Sequence, residues 1–400
     1  MDTDTALHDL SQTWRGRFPA AERQVYLNIG SRGIISDAAK RAADRMIEGH
    51  WLSDMPKSER KPMLEGCRAK FAALVKAGGE AEVAVLKNVS EGLNSIATAL
   101  TWEAGDNVVL TPELEHGNNI YLWRALHERG VELRAIPHRG GHIDAARMAE
   151  AVDGRTRLVT ASSVSFTPGH RTDLRTIGAA ARAKGAFFLI DGVQSCGVLD
   201  MDVEEVCADG LATSTSKGLL GLMGLGFLYV RADWLERLRP AFVARHSVAH
   251  GGHESEFEGM DFAYAGDAKR FEIGNYNWTG IAVADVALGE LLAAGTAAIE
   301  AHSLALADRL RAGLLDLGFK VALAEDPRRR SHLVTVGEMG LGDTYTTGDE
   351  TLNRVARALE GEGVRFSIRR GMLRFGFHLY NNDSDVERVL ATAEAAKKAV

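Results

Sequence analysis

The chain has 400 residues, 46% hydrophobic and 25% charged, with 54 acidic against 47 basic side chains and a formal net charge of -7. That is ordinary globular composition with room for two or three cores, and the acidic balance without a long basic run argues against nucleic acid as a partner. No apolar stretch reaches the length of a membrane span, the start MDTDTALHDL is no secretory signal, and three scattered cysteines (Cys67, Cys196, Cys207) make no disulfide framework, so we expect a reduced, cytoplasmic protein.

From residue 83 short apolar runs alternate with helical periods. Strands are expected at 83–86, 107–110, 131–136, 157–165, 186–190, 210–213 and 226–230, with helices at 91–100, 118–129, 143–152 and 173–184. Strands separated by helices of this length imply crossovers and a mostly parallel sheet. After residue 271 the pattern changes. Long Ala/Leu-rich helices are expected at 279–294 and 296–317, short strands at 321–324, 332–336, 364–368 and 373–377, and a helix at 352–360. A last helix is expected to open with Ser384-Asp-Val-Glu387, a capping-box pattern. The organisation expected is an N-terminal segment (1–25), a large domain (26–285) and a smaller C-terminal α+β domain (286–400).

A parallel sheet binds ligands beyond the carboxyl ends of its strands, so the residues after each apolar run carry the information. After 83–86 comes Lys87-Asn-Val-Ser-Glu-Gly-Leu-Asn94, where Ser90 can cap a helix whose free N–H groups suit a phosphate. After 107–110 comes His116, a flat ring that could stack on a heterocycle or simply sit in a surface turn. After 186–190 comes Asp191-Gly-Val-Gln194: a carboxylate following an apolar run needs a cation unless it only caps the next helix. Thr213-Ser-Thr-Ser-Lys217 then sets one lysine behind four hydroxyl residues, and a semi-enclosed amine can act as nucleophile and base. The glycines follow this lysine, which is the wrong order for a nucleotide-binding phosphate loop. Each signal is weak singly. Together a phosphate cradle, a stacking ring, a carboxylate for a ring nitrogen and a lysine for an aldehyde describe pyridoxal 5′-phosphate chemistry.

The motifs Asn88-Val-Ser-Glu-Gly-Leu-Asn94, Glu115-His116, Ile190-Asp-Gly-Val-Gln194, Ser214-Thr-Ser-Lys217, Arg270-Phe-Glu-Ile-Gly-Asn-Tyr-Asn277 and Leu373-Arg-Phe-Gly-Phe-His-Leu-Tyr-Asn381 occur in the order found in one family. Over nearly its whole length the chain resembles the class V aminotransferase group of fold-type I pyridoxal-phosphate enzymes, which includes cysteine desulfurases, selenocysteine lyase, kynureninase and isopenicillin N epimerase-like proteins. The resemblance implies a large domain with a mostly parallel seven-stranded sheet. It implies that Lys217 bonds the cofactor, that Asp191 pairs with its ring nitrogen and Gln194 with its phenolic oxygen, and that His116 stacks on it. It puts Ser90, Glu91, Ser214 and Ser216 at the phosphate, with Asn275 completing the partner's site in a homodimer with shared active sites. Arg374 would clamp the α-carboxylate of an amino-acid substrate, for which a planar fork is suited.

The chain departs from that pattern in three places. Ser216 stands where many relatives have a histidine before the lysine. Phe166 stands where desulfurases have an asparagine, so a polar contact is lost and an apolar wall gained. No cysteine follows Cys207, whereas desulfurases take sulfur as a persulfide on a C-terminal cysteine. We read Cys196 as a packing residue. His246, His250 and His253 match no standard zinc spacing, and we read a loop at the mouth of the site and no metal. The expected activity is Cβ-bond cleavage of the C–S type, with transamination and epimerisation as alternatives. A regulatory relative without turnover would need a DNA-binding segment, and none is visible.

Overall fold

A computed structural model describes residues 10–399 apart from 55–56, 250–261, 323, 325 and 344. The strands are β1 (Val25–Tyr26), β2 (Val83–Leu86), β3 (Asn107–Leu110), β4 (Glu132–Ala135), β5 (Thr156–Ser162), β6 (Phe187–Asp191), β7 (Gly210–Ser214), β8 (Gly226–Val230), β9 (Leu333–Val336), β10 (Val364–Arg365), β11 (Ser367–Arg369) and β12 (Met372–Gly376). Seven of them form one sheet in the order β2-β8-β7-β6-β5-β3-β4, parallel except for β8, which runs against both neighbours. This is the α/β architecture expected from the sequence. Its central strands are continuous apolar runs because both faces are covered. Phe188 and Ile190 of β6 enter one core, while Phe187 and Leu189 enter another on the opposite face.

The principal helices are α1 (Asp37–Trp51), α2 (Lys57–Val75), α3 (Val89–Ala99), α4 (Leu174–Lys184), α5 (Trp278–Ala294), α6 (Thr296–Asp316), α7 (Glu350–Gly361) and α8 (Asp383–Lys398). α1 and α2 precede the sheet and lie outside the elements expected from the sequence. α5 runs unbroken through 285–286 and packs against α1 and α2. α6 turns 78° from α5 at Gly295, whose φ is +82°, and packs against α8. Packing favours Gly295 as the seam between the domains. No single described helix is long and apolar enough to cross a membrane.

Four local expectations are corrected. The helix at 118–129 is broken into short turns, because Asn119 faces inward to Glu115, Thr160 and Trp123 and regular helix begins only at Tyr121. The strand at 364–368 is two strands: β10 pairs with β1, and β11 pairs with β12. Among the described residues of 321–324 only Val321 bridges, to Val336. The capping box of α8 is Asn382 with Asp385, two residues before Ser384–Glu387.

Candidate functional site

The carboxyl ends of β3, β5, β6 and β7 bring His116, Ser162, Asp191 and Ser214 to one edge of the sheet. Asp191 closes β6 and is buried. Its Oδ1 accepts the Val193 N–H at 3.0 Å, and no ion pair to it is found among the described residues. Burial raises its pKa, opposed by that hydrogen bond and by the charge of Lys217.

Lys217 sits in the turn between β7 and β8. Inside the turn the Thr215 N–H donates to Leu225 O (3.1 Å) and the Leu220 N–H to Lys217 O (2.8 Å). From outside, the Gly33 N–H donates to Ser216 O at 2.7 Å, and a Cβ on Gly33 would lie 2.4 Å from Lys217 O, so only glycine fits there. His378 completes the clamp. Its Nδ1 accepts the Leu379 N–H (2.7 Å), so Nε2 carries the hydrogen and donates to Gly218 O (2.9 Å). The Lys217 amine makes no hydrogen bond to any described residue. Burial, helped by the charge of Arg374 and opposed by Asp191, lowers its pKa to about 8. Near physiological pH about a fifth of such an amine is neutral, and so nucleophilic, far more than of an ordinary lysine.

His116 accepts the Asn118 N–H on Nδ1 at 3.2 Å, which leaves the hydrogen on Nε2. Burial first, then the charges of Lys217, Arg369 and Arg374, lower its pKa, so the ring is held neutral. Its edge meets Phe166, with ring centroids 5.1 Å apart. The hydroxyls of Ser214 and Ser216 stand 3.1 Å apart. Ser90 is the second residue of α3 and does not cap it; Asn88 does, accepting the Glu91 N–H at 2.9 Å. Glu91 turns its carboxylate back to the Lys87 N–H (2.7 Å), so its amide and one carboxylate oxygen are both spent on the helix start. The Gln194 side chain donates to Gly30 O at 2.9 Å.

Opposite this edge the small domain presents Arg374, on β12 and 2% exposed. It donates from Nη1 to Phe166 O (2.9 Å), from Nη2 to Ser31 Oγ (3.0 Å) and from Nε to Ser367 Oγ (3.2 Å), and its guanidinium carbon lies 5.2 Å from the Phe166 ring centroid. Arg369 donates to the same Ser31 Oγ at 3.1 Å. No described carboxylate pairs with either arginine. Burial and the neighbouring Arg369 press against the Arg374 charge, which a guanidinium nevertheless keeps. A buried cation without an anion is costly. The sequence reading did not single out Ser31 or Arg369. The only signal is that Arg369 lies just ahead of the Leu373–Asn381 motif.

Asn275 is exposed, beside the buried ion pair of Arg68 and Glu272 (2.7 Å). The His246 ring lies 4.9 Å from that of Tyr276. His250 and His253 lie outside the described residues. Among the described residues no group of three His, Cys, Asp or Glu side chains could hold a metal.

The family profile of class-V aminotransferases matches residues 53–389. This chain belongs to the aminotransferase class-V family. A probable cysteine desulfurase of Methanothermobacter thermautotrophicus is 29% identical over 342 residues, 83% of each chain. The uncharacterized aminotransferase YcbU of Bacillus subtilis is 26% identical over 96% of this chain and 97% of its own. The apo structure of a cysteine desulfurase from Thermococcus onnurineus NA1 superposes with a TM-score of 0.84 at 22% identity, over 97% of this chain and 98% of that one. The cystine C–S lyase C-DES, solved with its product cysteine persulfide, gives a TM-score of 0.81 at 24% identity over 94% and 99%. These likenesses show the fold-type I architecture. Class-V enzymes depend on pyridoxal phosphate, and so does this one. The residues at the sheet edge fit that group: a buried carboxylate without a cation, an unpartnered amine, and paired hydroxyls beside a helix start.

Proposed function

We propose that the protein cleaves a Cβ–substituent bond, of the C–S type, in a small amino acid, and does so without a persulfide-forming cysteine. One observation carries the reading: Lys217 and Asp191 at the sheet edge face the buried, uncompensated Arg374 of the small domain. When bound, the cofactor supplies an electron sink for the substrate's α-carbon. Asp191 holds the proton on the ring nitrogen. Lys217 Nζ takes the α-proton, for which an amine titrating near pH 8 is suited. Arg374 binds the α-carboxylate through a planar fork, and the Phe166 ring forms an apolar wall beside it. His116, neutral, lies against the ring. Ser90, Ser214 and Ser216 bind phosphate, and Asn275 reaches the partner's phosphate in a homodimer. Glu91 supports the phosphate end of the site by fixing the helix start through its N–H and one carboxylate oxygen.

The absence of a sulfur acceptor rests on the cysteines. None follows Cys207, and burial pushes the Cys196 thiol up to about 12 and holds the buried Cys67 thiol high as well. A thiolate is the reactive form, so neither is equipped to take sulfur. Transamination is the second reading, favoured by the likeness to proteins described as aminotransferases. A mass-spectrometric product screen with S-substituted cysteines and other amino acids, with and without a 2-oxo acid, separates the two. Repeated turnover without the acceptor is expected; turnover only with it makes the protein a transaminase.

A further inference from the structure

Glu115 has no role above, yet its surroundings are unusual for a carboxylate. It is 5% exposed. Its Oε1 accepts the Ser162 N–H at 2.7 Å, and its Oε2 accepts the Asn119 amide at 2.9 Å and the Ser162 hydroxyl. Asn119 is itself fixed by Trp123 Nε1 (3.0 Å) and Thr160 (3.1 Å). All three donors are neutral, and no cation pairs with Glu115 among the described residues.

Ser162 ends β5 and is the register partner of Asp191 across the β5–β6 ladder. Partners on adjacent strands lie roughly 5 Å apart. The serine that binds the Glu115 carboxylate therefore stands in register beside Asp191, which sets a second buried carboxylate near the first. The charged or titratable groups facing the pair are His116, which follows Glu115 in its own turn, Lys217, which acts on Asp191 from the β7–β8 turn, and the buried Cys196 thiol, which the charge of Asp191 helps to keep protonated. His116 is neutral, and Lys217 has a cofactor bond to make. Two like charges in an apolar layer disfavour each other. Burial, to which Asp191 adds, pushes the Glu115 carboxyl up to about 7 against its hydrogen bonds.

We propose that Glu115 is the proton reserve of the cofactor seat, a positioning residue that stays protonated while Asp191 lacks a cation and releases its proton to solvent when a protonated ring nitrogen docks against Asp191. The second negative charge then helps to keep the ring nitrogen protonated. No bond to Glu115 other than O–H breaks, and no electron changes hands. The inference rests on Asp191 as the partner of that nitrogen.

The test is calorimetric titration of the apoprotein with pyridoxal phosphate in buffers of different ionisation enthalpy, which counts protons exchanged. Near pH 7 wild type is expected to release roughly half a proton more than Glu115→Gln, a difference that vanishes at about pH 9, where the carboxyl is already ionised. The bound chromophore of Glu115→Gln should also lose its ring-nitrogen proton at lower pH in an absorbance titration. Should the glutamine variant fail to fold, Ser162→Ala serves. It removes one donor to Glu115, so the excess release should move to higher pH. Equal proton counts in wild type and Glu115→Gln, or an unmoved profile in Ser162→Ala, overturn the proposal. Failure of wild type to take up pyridoxal phosphate at all is a different result. It overturns the reading of Asp191 and Lys217, and this inference with it.

Discussion

The two walls of the site are built in opposite ways. On the large-domain wall each functional residue lies at or soon after a strand end and takes a hydrogen bond from its own neighbourhood: Asp191 from Val193, His116 from Asn118, and Lys217 through its own turn, which Gly33 and His378 also grip from outside. On the small-domain wall Arg374 has one neighbour close in sequence, Ser367, and is otherwise held by residues far away in the chain, of which Ser31 also holds Arg369. Arg374 leans on Ser31 and Phe166, 343 and 208 positions distant. The first wall is set by local chain geometry, the second by how two domains meet. In the proposed function, chemistry belongs to the first and substrate recognition to the second.

That division can be broken by substitution. Lys217→Ala is expected to remove the yellow chromophore that borohydride can reduce and to lower kcat by about 10^4-fold or more, as loss of a central catalytic group does. Chromophore that persists in reducible form would end the assignment of the lysine. Arg374→Ala should weaken amino-acid binding by about 10–100-fold, the worth of a charge-assisted hydrogen-bond pair, and leave cofactor affinity unchanged. Equal loss of both, measured by substrate and cofactor titration, would make Arg374 a structural residue and merge the two walls. Ser31→Ala removes one neutral acceptor shared by two guanidinium groups. A change of about fivefold in KM, with kcat held, is expected from a bond worth about 1 kcal/mol.

A pH experiment sharpens the large-domain side alone. The folded-state pKa of Lys217 lies below that of the unfolded chain, so the buried ammonium costs stability at low pH. Between about pH 8 and the ordinary lysine value the unfolded chain binds the extra proton, and apoprotein stability attributable to this group rises with pH. The rate at which the apoprotein condenses with pyridoxal phosphate should climb to a plateau through about pH 8. A midpoint at the value of a free lysine would show that the amine is not desolvated.

The contrast between the walls also explains what could be read in the sequence. The seven strands and the positions of Asp191, His116 and Lys217 follow from apolar runs and from what comes after them. Arg374 was recognisable only through the motif around it, and Arg369 and Ser31 were not singled out, because no periodicity announces a contact across more than 300 residues. The start of α3 shows the limit on a smaller scale. Asn88, Ser90 and Glu91 all suit a helix start, and only the geometry assigns the cap to Asn88 and turns Glu91 back to Lys87.

The clamp on the lysine turn has a consequence for the order in which the protein is made. Gly33 grips Ser216 from near the start of the chain, and His378 grips Gly218 from near its end. On the ribosome the sheet can assemble while synthesis continues, but the second grip cannot close until residue 378 has emerged. Closing so distant a contact is among the slower events of folding. Capture of the cofactor by a fully seated lysine is therefore a late step, open to the finished chain and closed to a nascent one that ends before β12.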